Sequence, residues 1–303
     1  MESAVVTGAG GQLGLTLQLA WAGSPAAEKF DLHPFPRAEL DCTERPAIDR
    51  ALAGLNCRVL INAAAYTRVD QAEQEAEAAH GGNESAVRNL GSWCAENNCR
   101  LIHISTDFVF DGKQSVPYSE TDATNPLGVY GRSKLAGEQA LSEVETLDAV
   151  ILRTSWLYSS YGNNFVKTML RLMAEKDKLQ VVIDQVGSPT STHSLVKVIM
   201  ALIHNPSASG IYHWCDGAEI SWYDFALAIQ RIAIARGLLQ HKIPIHPIPT
   251  KAYPTAAKRP EYSVLDRAKA LDDLNVVSGS WQEELGRVLA EIESAQPDTG
   301  PDS

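Results

Sequence analysis

Short apolar runs recur between helical stretches through the first half of the chain, and this alternation constrains the fold more than any other feature. The runs are Ala4-Val5-Val6, Phe30 to Phe35, Val59-Leu60-Ile61, Leu101 to Ile104 and Ala149 to Leu152. Between them lie helical stretches at Leu13 to Trp21, Arg45 to Leu55, an Ala/Glu-rich region reaching Glu96, and Ser133 to Glu143. Strands that are apolar on both faces belong in a parallel sheet covered by helices on each side. The expectation is an α/β fold, a doubly wound parallel sheet.

The second half is less regular. Asn164 to Ala174, Ser194 to Asn205, Tyr223 to Ala235 and Trp281 to Glu293 read as helices, and Lys242 to Pro254 is rich in proline. A smaller α/β domain, built partly from insertions, fits this pattern. The expected division is a cofactor-binding domain over 1–156, to which a segment at about 185–210 returns, and a mainly substrate-binding domain over 157–294. The polar tail 295–303 reads as disordered.

Charge and thiols narrow the class. Lys+Arg 26 against Asp+Glu 37 gives −11 in 303 residues, which argues against nucleic acid as a partner. A local positive group can still hold a small anion. No run of about 18 apolar residues is present, so no membrane span is expected. Only Met1-Glu2-Ser3 precede the first run, which leaves no room for a signal peptide. Five cysteines (42, 57, 94, 99 and 215) without a C-x-x-C pair read as free thiols, and the expected compartment is the cytoplasm. In that setting the Asn83-Glu84-Ser85 sequon is accidental.

Two motifs carry chemistry. Gly8-Ala9-Gly10-Gly11-Gln12-Leu13-Gly14 follows the first strand and opens the first helix, with glycines 8, 11 and 14 in a G-x-x-G-x-x-G spacing. Such a turn lets backbone N–H groups approach a pyrophosphate at a helix N-terminus, as in Rossmann folds. Arg37 lies just past the second strand, where an Arg accommodates a 2′-phosphate; Asp31 lies too early to bind a ribose hydroxyl. NADPH is therefore expected, accepted at least as well as NADH. The second motif is Tyr130-Gly131-Arg132-Ser133-Lys134, which places Tyr and Lys at i and i+4 on one helix face. A free phenol titrates at about 10, and a nearby ammonium is expected to lower that value towards a useful range. Ser105-Thr106-Asp107 ends the fourth apolar run, at the strand terminus where ligands of α/β sheets sit.

With these motifs the chain resembles the extended short-chain dehydrogenase/reductase superfamily, and within it the dTDP-4-dehydrorhamnose reductase family. The finer strings are Leu60 to Asp70, His103 to Gly112, Asn125 to Glu138, Leu152 to Trp156, Gly162 to Met169, Asp184 to Thr190, and Arg259-Pro260 with Ser263 to Asp266. The resemblance runs from about residue 4 to residue 293. It implies reduction of the 4-keto group of a dTDP-linked deoxysugar. By motif match it implies that Thr106 hydrogen-bonds the keto oxygen, Tyr130 donates the proton, and Lys134 holds the nicotinamide ribose and lowers the Tyr pKa. Gly11, Gln12 and Leu13 would contact the cofactor diphosphate, Asp41 and Cys42 the adenine side, and Ala65, Tyr66 and Thr67 the cofactor further along. Val69, Asp107 and Trp156 would face the sugar nucleotide, although an aromatic after a buried strand is also a common core residue. Arg259 offers paired donors to the substrate diphosphate or, equally, to a surface carboxylate. Asp70 is either a ligand neighbour or a helix N-cap.

Three departures from the family pattern stand out. His80-Gly81-Gly82-Asn83 interrupts a helix, since each Gly costs about 1 kcal/mol relative to Ala, and a kink is expected there. Asn83 would still orient Lys134 through a water. Thr16 and His193 stand where some members carry acidic ligands for a divalent ion at a dimer interface, so neither that metal nor that dimer is expected, and the chain reads as a monomer or weak homodimer. Cys42 replaces a usual Ile, and the remaining histidines show no metal spacing. Two other readings stay open: an epimerase or dehydratase that recycles its NAD, and an NADP-binding regulatory subunit resembling the β subunit of methionine adenosyltransferase.

Overall fold

Nearly every residue along the inner strands is buried, and the computed structural model, which describes residues 1–277 and 279–295, packs them into one parallel sheet. The first half runs β1 (Glu2–Thr7), α1 (Gln12–Trp21), β2 (Phe30–Phe35), α2 (Arg45–Ala51), β3 (Cys57–Asn62), α3 (Val69–Ala72), α4 (Ala76–His80), α5 (Ala86–Glu96), β4 (Arg100–Thr106), α6 (Val129–Ser142) and β5 (Ala149–Thr154). There follow β6 (Leu157–Tyr158), α7 (Phe165–Glu175), β7 (Leu179–Val182), β8 (Val186–Gly187), β9 (Thr190–Ser191), α8 (Thr192–His204) and β10 (Gly210–Trp214). The chain closes with β11 (Ile220–Ser221), α9 (Trp222–Ala235), β12 (Ile245–Ile248), α10 (Ala268–Leu274) and α11 (Trp281–Ser294). Of the expected tail, all but Ala295 lies outside the described residues.

The sheet order is β2-β1-β3-β4-β5-β10, with every pair parallel. The chain steps outward from β1 to β2 and returns to β3 on the other side, so a crevice opens at the strand ends between β1 and β3. Successive strand residues face opposite ways. Val6, Ile61, Ile102 and Leu152 meet α1 and α8 on one face, while Val5, Leu60, Leu101 and Ile151 meet α2 and α5 on the other. A separate core, including Met169, Phe225, Ile229, Leu285 and Val288, joins α7, α9 and α11. Among the described residues no helix is long and apolar enough to cross a membrane.

The expected kink near Asn83 is present. The Ala/Glu-rich region divides into α3 and α4, and Gly81–Ser85 then forms a π-helical turn before α5. Wide turns of this kind often mark functional sites. Helix α2 stops at Ala51, four residues short of the expected Leu55. Asp70 is not an N-cap: Arg68 precedes α3 without a side-chain cap, and Asp70 lies in the first turn.

Helix α6 carries the Tyr-x-x-x-Lys pair, and a buried ion pair pins it to the sheet. Arg153 on β5 donates to both oxygens of Glu138 on α6, with Nη2 to Oε2 at 2.6 Å, and Ser105 at the end of β4 donates to Oε1. Glu138 is 4% exposed and Arg153 2%. An uncompensated charge at that depth is costly, so Arg153→Met should destabilise the fold by about 3–5 kcal/mol in urea unfolding. An unchanged midpoint would show that the pair does not hold the helix.

Candidate active site

The glycine turn after β1 is shaped by close backbone approach. Gly8 has φ +67°, and a Cβ there would lie 2.6 Å from the backbone N of Ala64, which follows β3. At Gly14 a Cβ would lie 2.5 Å from the Gly8 carbonyl oxygen, so α1 sits directly against the turn. Gly11 precedes α1 in extended conformation, and no side chain caps the first turn, which leaves its N–H groups to an anionic ligand. The Gln12 side chain faces away from that role: its Oε1 accepts from Ser159 Oγ at 3.0 Å and from Asn164 Nδ2 at 2.8 Å.

A cleft of about 1130 Å³ runs along the strand ends. Gly8, Gly11, Gln12, Leu13, Arg37, Asp41, Cys42, Ala65, Tyr66 and Thr67 line it, as do Val69, Thr106, Asp107, Tyr130, Lys134, Trp156 and Arg259. Gly14 does not line it and acts from behind the turn. Thr43 donates its hydroxyl and N–H to Asp41, and with the charge of Arg37 these bonds hold the Asp41 carboxyl below its ordinary range. Burial pushes the Cys42 thiol up to about 12, which makes it an inert small hydrophobe. An uncapped helix start, a backbone cradle and an exposed Arg37 fit a dinucleotide with a 2′-phosphate.

At the chemical end, Thr106 terminates β4, accepts from Phe108 N at 3.2 Å, and donates to Asp107 Oδ1 at 3.0 Å. The start of α6 packs on this turn, because Gly131 faces the Phe108 carbonyl where any side chain would collide. Tyr130 meets Phe108 edge to face, with centroids 5.5 Å apart, and its phenol is hydrogen-bonded with Thr106. Burial pushes the Tyr130 pKa up to about 12; the Thr106 hydrogen bond opposes this and the Asp107 charge adds to it. Asp107 is itself pushed up to about 6 by burial, against the hydroxyls of Ser263 and Thr106.

The expected lowering of the Tyr130 pKa by Lys134 is not seen in the ligand-free chain. Lys134 is 2% exposed, and its Nζ donates to the Ile104 carbonyl at 2.7 Å and lies 3.5 Å from His103 Nε2. Burial holds its pKa down, to about 8, against the pull of Glu138. Nor does Asn83 bond Lys134 directly. Its Nδ2 donates to the Tyr66 carbonyl at 3.0 Å and to Ser133 Oγ at 2.9 Å, and its Oδ1 accepts from Tyr66 N at 2.8 Å. It ties the π-helical turn to the cleft wall and to α6.

Part of the cleft wall is aromatic. Trp156 adopts φ +45° and stacks on Trp222, with centroids 3.4 Å apart and planes 9° from parallel. Its indole lies over Gly187, where a Cβ would come within 2.6 Å. Core packing and cleft lining thus both hold for Trp156. Trp222, the first residue of α9 and one outside the helix expected from the sequence, also lines the cleft. Arg259 lines the cleft while making two bonds to Asp70, the shorter at 2.7 Å. Thr16 donates to the Gln12 carbonyl and to Thr192, and His193 Nε2 lies 2.7 Å from Glu291 Oε1. Among the described residues no group of three or more His, Cys, Asp or Glu could hold a metal.

A family model described as the RmlD substrate binding domain matches residues 2–294. The dTDP-4-dehydrorhamnose reductase of Aggregatibacter actinomycetemcomitans is 39% identical over 298 residues, covering 97% of this chain and 100% of that protein. The enzyme of the same name from Escherichia coli K12 is 37% identical over 286 residues, covering 93% and 95%. The crystal structure of dTDP-4-dehydrorhamnose reductase from Bacillus anthracis in complex with NADP superposes with a TM-score of 0.87 at 38% identity, covering 96% of this chain and 100% of that one. A Clostridium acetobutylicum structure of that name gives 0.88 at 35% identity, covering 96% and 99%.

The Asn83 bonds make a direct prediction. Asn83→Ala leaves the buried Ser133 and Tyr66 groups without their partner, and should cost about 1–3 kcal/mol of stability. Denaturant unfolding measures it, and a loss below a few tenths would show that the π-helical turn is held by other contacts.

Proposed function

The chain belongs to the dTDP-4-dehydrorhamnose reductase family, and from that premise we propose that it reduces the 4-keto group of dTDP-4-dehydro-L-rhamnose with NADPH, giving dTDP-L-rhamnose. One observation carries the assignment of roles: Thr106, Tyr130 and Lys134 converge on a single cleft whose other end is the uncapped start of α1.

Bound NADPH supplies the hydride. As it arrives at C4, negative charge grows on the keto oxygen, and a placed donor stabilises it. Tyr130 is that donor, with Thr106 hydrogen-bonding the same oxygen. The elevated Tyr130 pKa suits reduction, because the phenol is fully protonated at neutral pH and gives up its proton only to a stronger base such as an alkoxide. Lys134 holds the nicotinamide ribose. Gly8, Gly11, Gln12 and Leu13 present backbone to the diphosphate, Arg37 takes the 2′-phosphate, and Asp41, Cys42, Ala65, Tyr66 and Thr67 complete the cofactor wall.

On the substrate side, Val69, Asp107 and Trp156 face the sugar nucleotide. Arg259 binds its diphosphate by exchanging Asp70 for phosphate oxygens, which a guanidinium meets with paired donors. Residues 1–156 with about 185–210 form the cofactor half in this reading, and 157–294 mainly the substrate half. The five buried free thiols accord with a cytoplasmic enzyme, read here as a monomer or weak homodimer.

Consumption of NADPH with dTDP-4-dehydro-6-deoxy-L-mannose, followed by absorbance, tests the proposal. Tyr130→Phe should lower kcat by about 10²–10⁴-fold with little change in NADPH binding. Arg259→Ala should raise KM for the nucleotide sugar by about tenfold or more, the loss of a charged hydrogen bond. A Tyr130→Phe enzyme at full rate would remove the tyrosine from the chemistry. An unchanged KM would return Arg259 to a purely structural ion pair.

A further inference from the structure

His103 interrupts the apolar run of β4, is fully buried, and has no part in the reaction as described above. Its ring closes a chain of hydrogen bonds that crosses three strands. Thr7 on β1 donates to Asn62 Oδ1 on β3 at 2.7 Å, and the backbone N–H of Ala64 donates to the same oxygen at 3.1 Å. A backbone N–H can only donate, so the orientation of the Asn62 amide is fixed. Its Nδ2 therefore donates to His103 Nδ1, 3.0 Å away. With Nδ1 accepting, the neutral ring carries its proton on Nε2, and a doubly protonated ring would set N–H against N–H. That Nε2–H faces Lys134 Nζ at 3.5 Å.

An ammonium has no lone pair with which to accept from Nε2–H, whereas a neutral amine does. We propose that His103 is a positioning residue for Lys134, held as the Nε2–H tautomer by Asn62, and that its N–H makes the ammonium easier to deprotonate until the oxygens of a bound ligand take up the charge. The inference deepens the reading of Lys134 as the ribose-binding residue and rests on it for its catalytic meaning. Burial moves the two groups the same way, with Lys134 held at about 8 and His103 kept well below the usual imidazole range by burial and by the Lys134 charge.

The other charges near α6 have partners of their own. On the helix itself, Glu138 pulls the Lys134 pKa upward while paired with Arg153 from β5. Tyr130 and Asp107 interact with each other across the start of the helix. In the segments packed against α6, Asp70 pairs with Arg259, His80 with Glu84 and Arg88 with Glu143. Glu73 accepts from the backbone N–H of Val129. Burial apart, this leaves the His103 N–H and the Ile104 carbonyl as the polar groups in hydrogen-bond reach of the Lys134 amine.

The test reads Lys134 itself. Titration of the ligand-free protein by NMR, with lysine labelled at Cε and the signal assigned through Lys134→Arg, should give a midpoint near 8. His103→Leu removes the opposing N–H and should raise the midpoint by about one unit or more, a tenfold change in proton affinity. Asn62→Asp keeps the oxygen that Thr7 and Ala64 need but accepts from Nδ1–H. This turns Nε2 into an acceptor, and the midpoint should again rise. Midpoints unchanged in both folded variants overturn the proposal. The alkaline limb of kcat/KM for NADPH oxidation should follow the NMR midpoint in each variant; a merely structural His103 would lower the plateau without moving the limb. If the midpoints move while no variant, nor the parent, turns over the sugar nucleotide, the Lys134 inference stands and the assignment of the reaction fails.

Discussion

A buried two-pronged ion pair, Glu138 with Arg153, decides where α6 lies, and the chemical end of the cleft follows from that placement. The pair joins the helix to β5, and Ser105 ties the same carboxylate to the end of β4. Arg153 also stacks on Phe110 and lies 3.4 Å from His213, whose Nδ1 meets the Tyr118 carbonyl. With the helix locked one turn beyond Lys134, Tyr130 is carried to Thr106 and the Lys134 amine to the β4 backbone. Side chains so anchored need little reorganisation when charge develops at a bound carbonyl.

The cofactor end depends on a different constraint, the close approach of backbones at the point where the sheet order reverses. The Gly8 turn rests against Ala63 and Ala64, and α1 rests against the turn. The consequence is electrostatic. A chain of net charge −11 nevertheless presents a helix start without a side-chain cap, next to Arg37. Local dipoles and a few placed cations, rather than an overall basic surface, make the cleft suitable for phosphates.

Much of this was legible in the sequence because it depends on neighbours along the chain. Apolar runs such as Leu101 to Ile104 marked the strands, and the i, i+4 spacing put Tyr130 and Lys134 on one helix face. The two adjacent glycines at 81 and 82 announced a break, though not that it would take the form of a π-helical turn held by Asn83. What depends on burial or on distant partners was not legible. The direction of the Tyr130 shift is set by packing and by Asp107, and Lys134 bonds Ile104 instead of acting on the phenol. Asp70 stayed open between ligand neighbour and cap because its partner Arg259 is 189 positions away. Nothing in the sequence singled out His103 or Trp222; only the fold places one against Lys134 and the other against Trp156.

Hydride transfer from NADPH to C4 of a dTDP-linked keto sugar, in a cleft where we assign the proton to Tyr130, leaves an isotopic mark on the product. Transfer from NADPH deuterated at the reactive nicotinamide carbon, read by mass spectrometry and NMR of the sugar product, tests it most directly. One deuterium per product molecule is expected, located at C4, with one NADPH oxidised for each. A product without deuterium, or sugar turnover with no net loss of NADPH, would contradict it and point to an enzyme that recycles its cofactor.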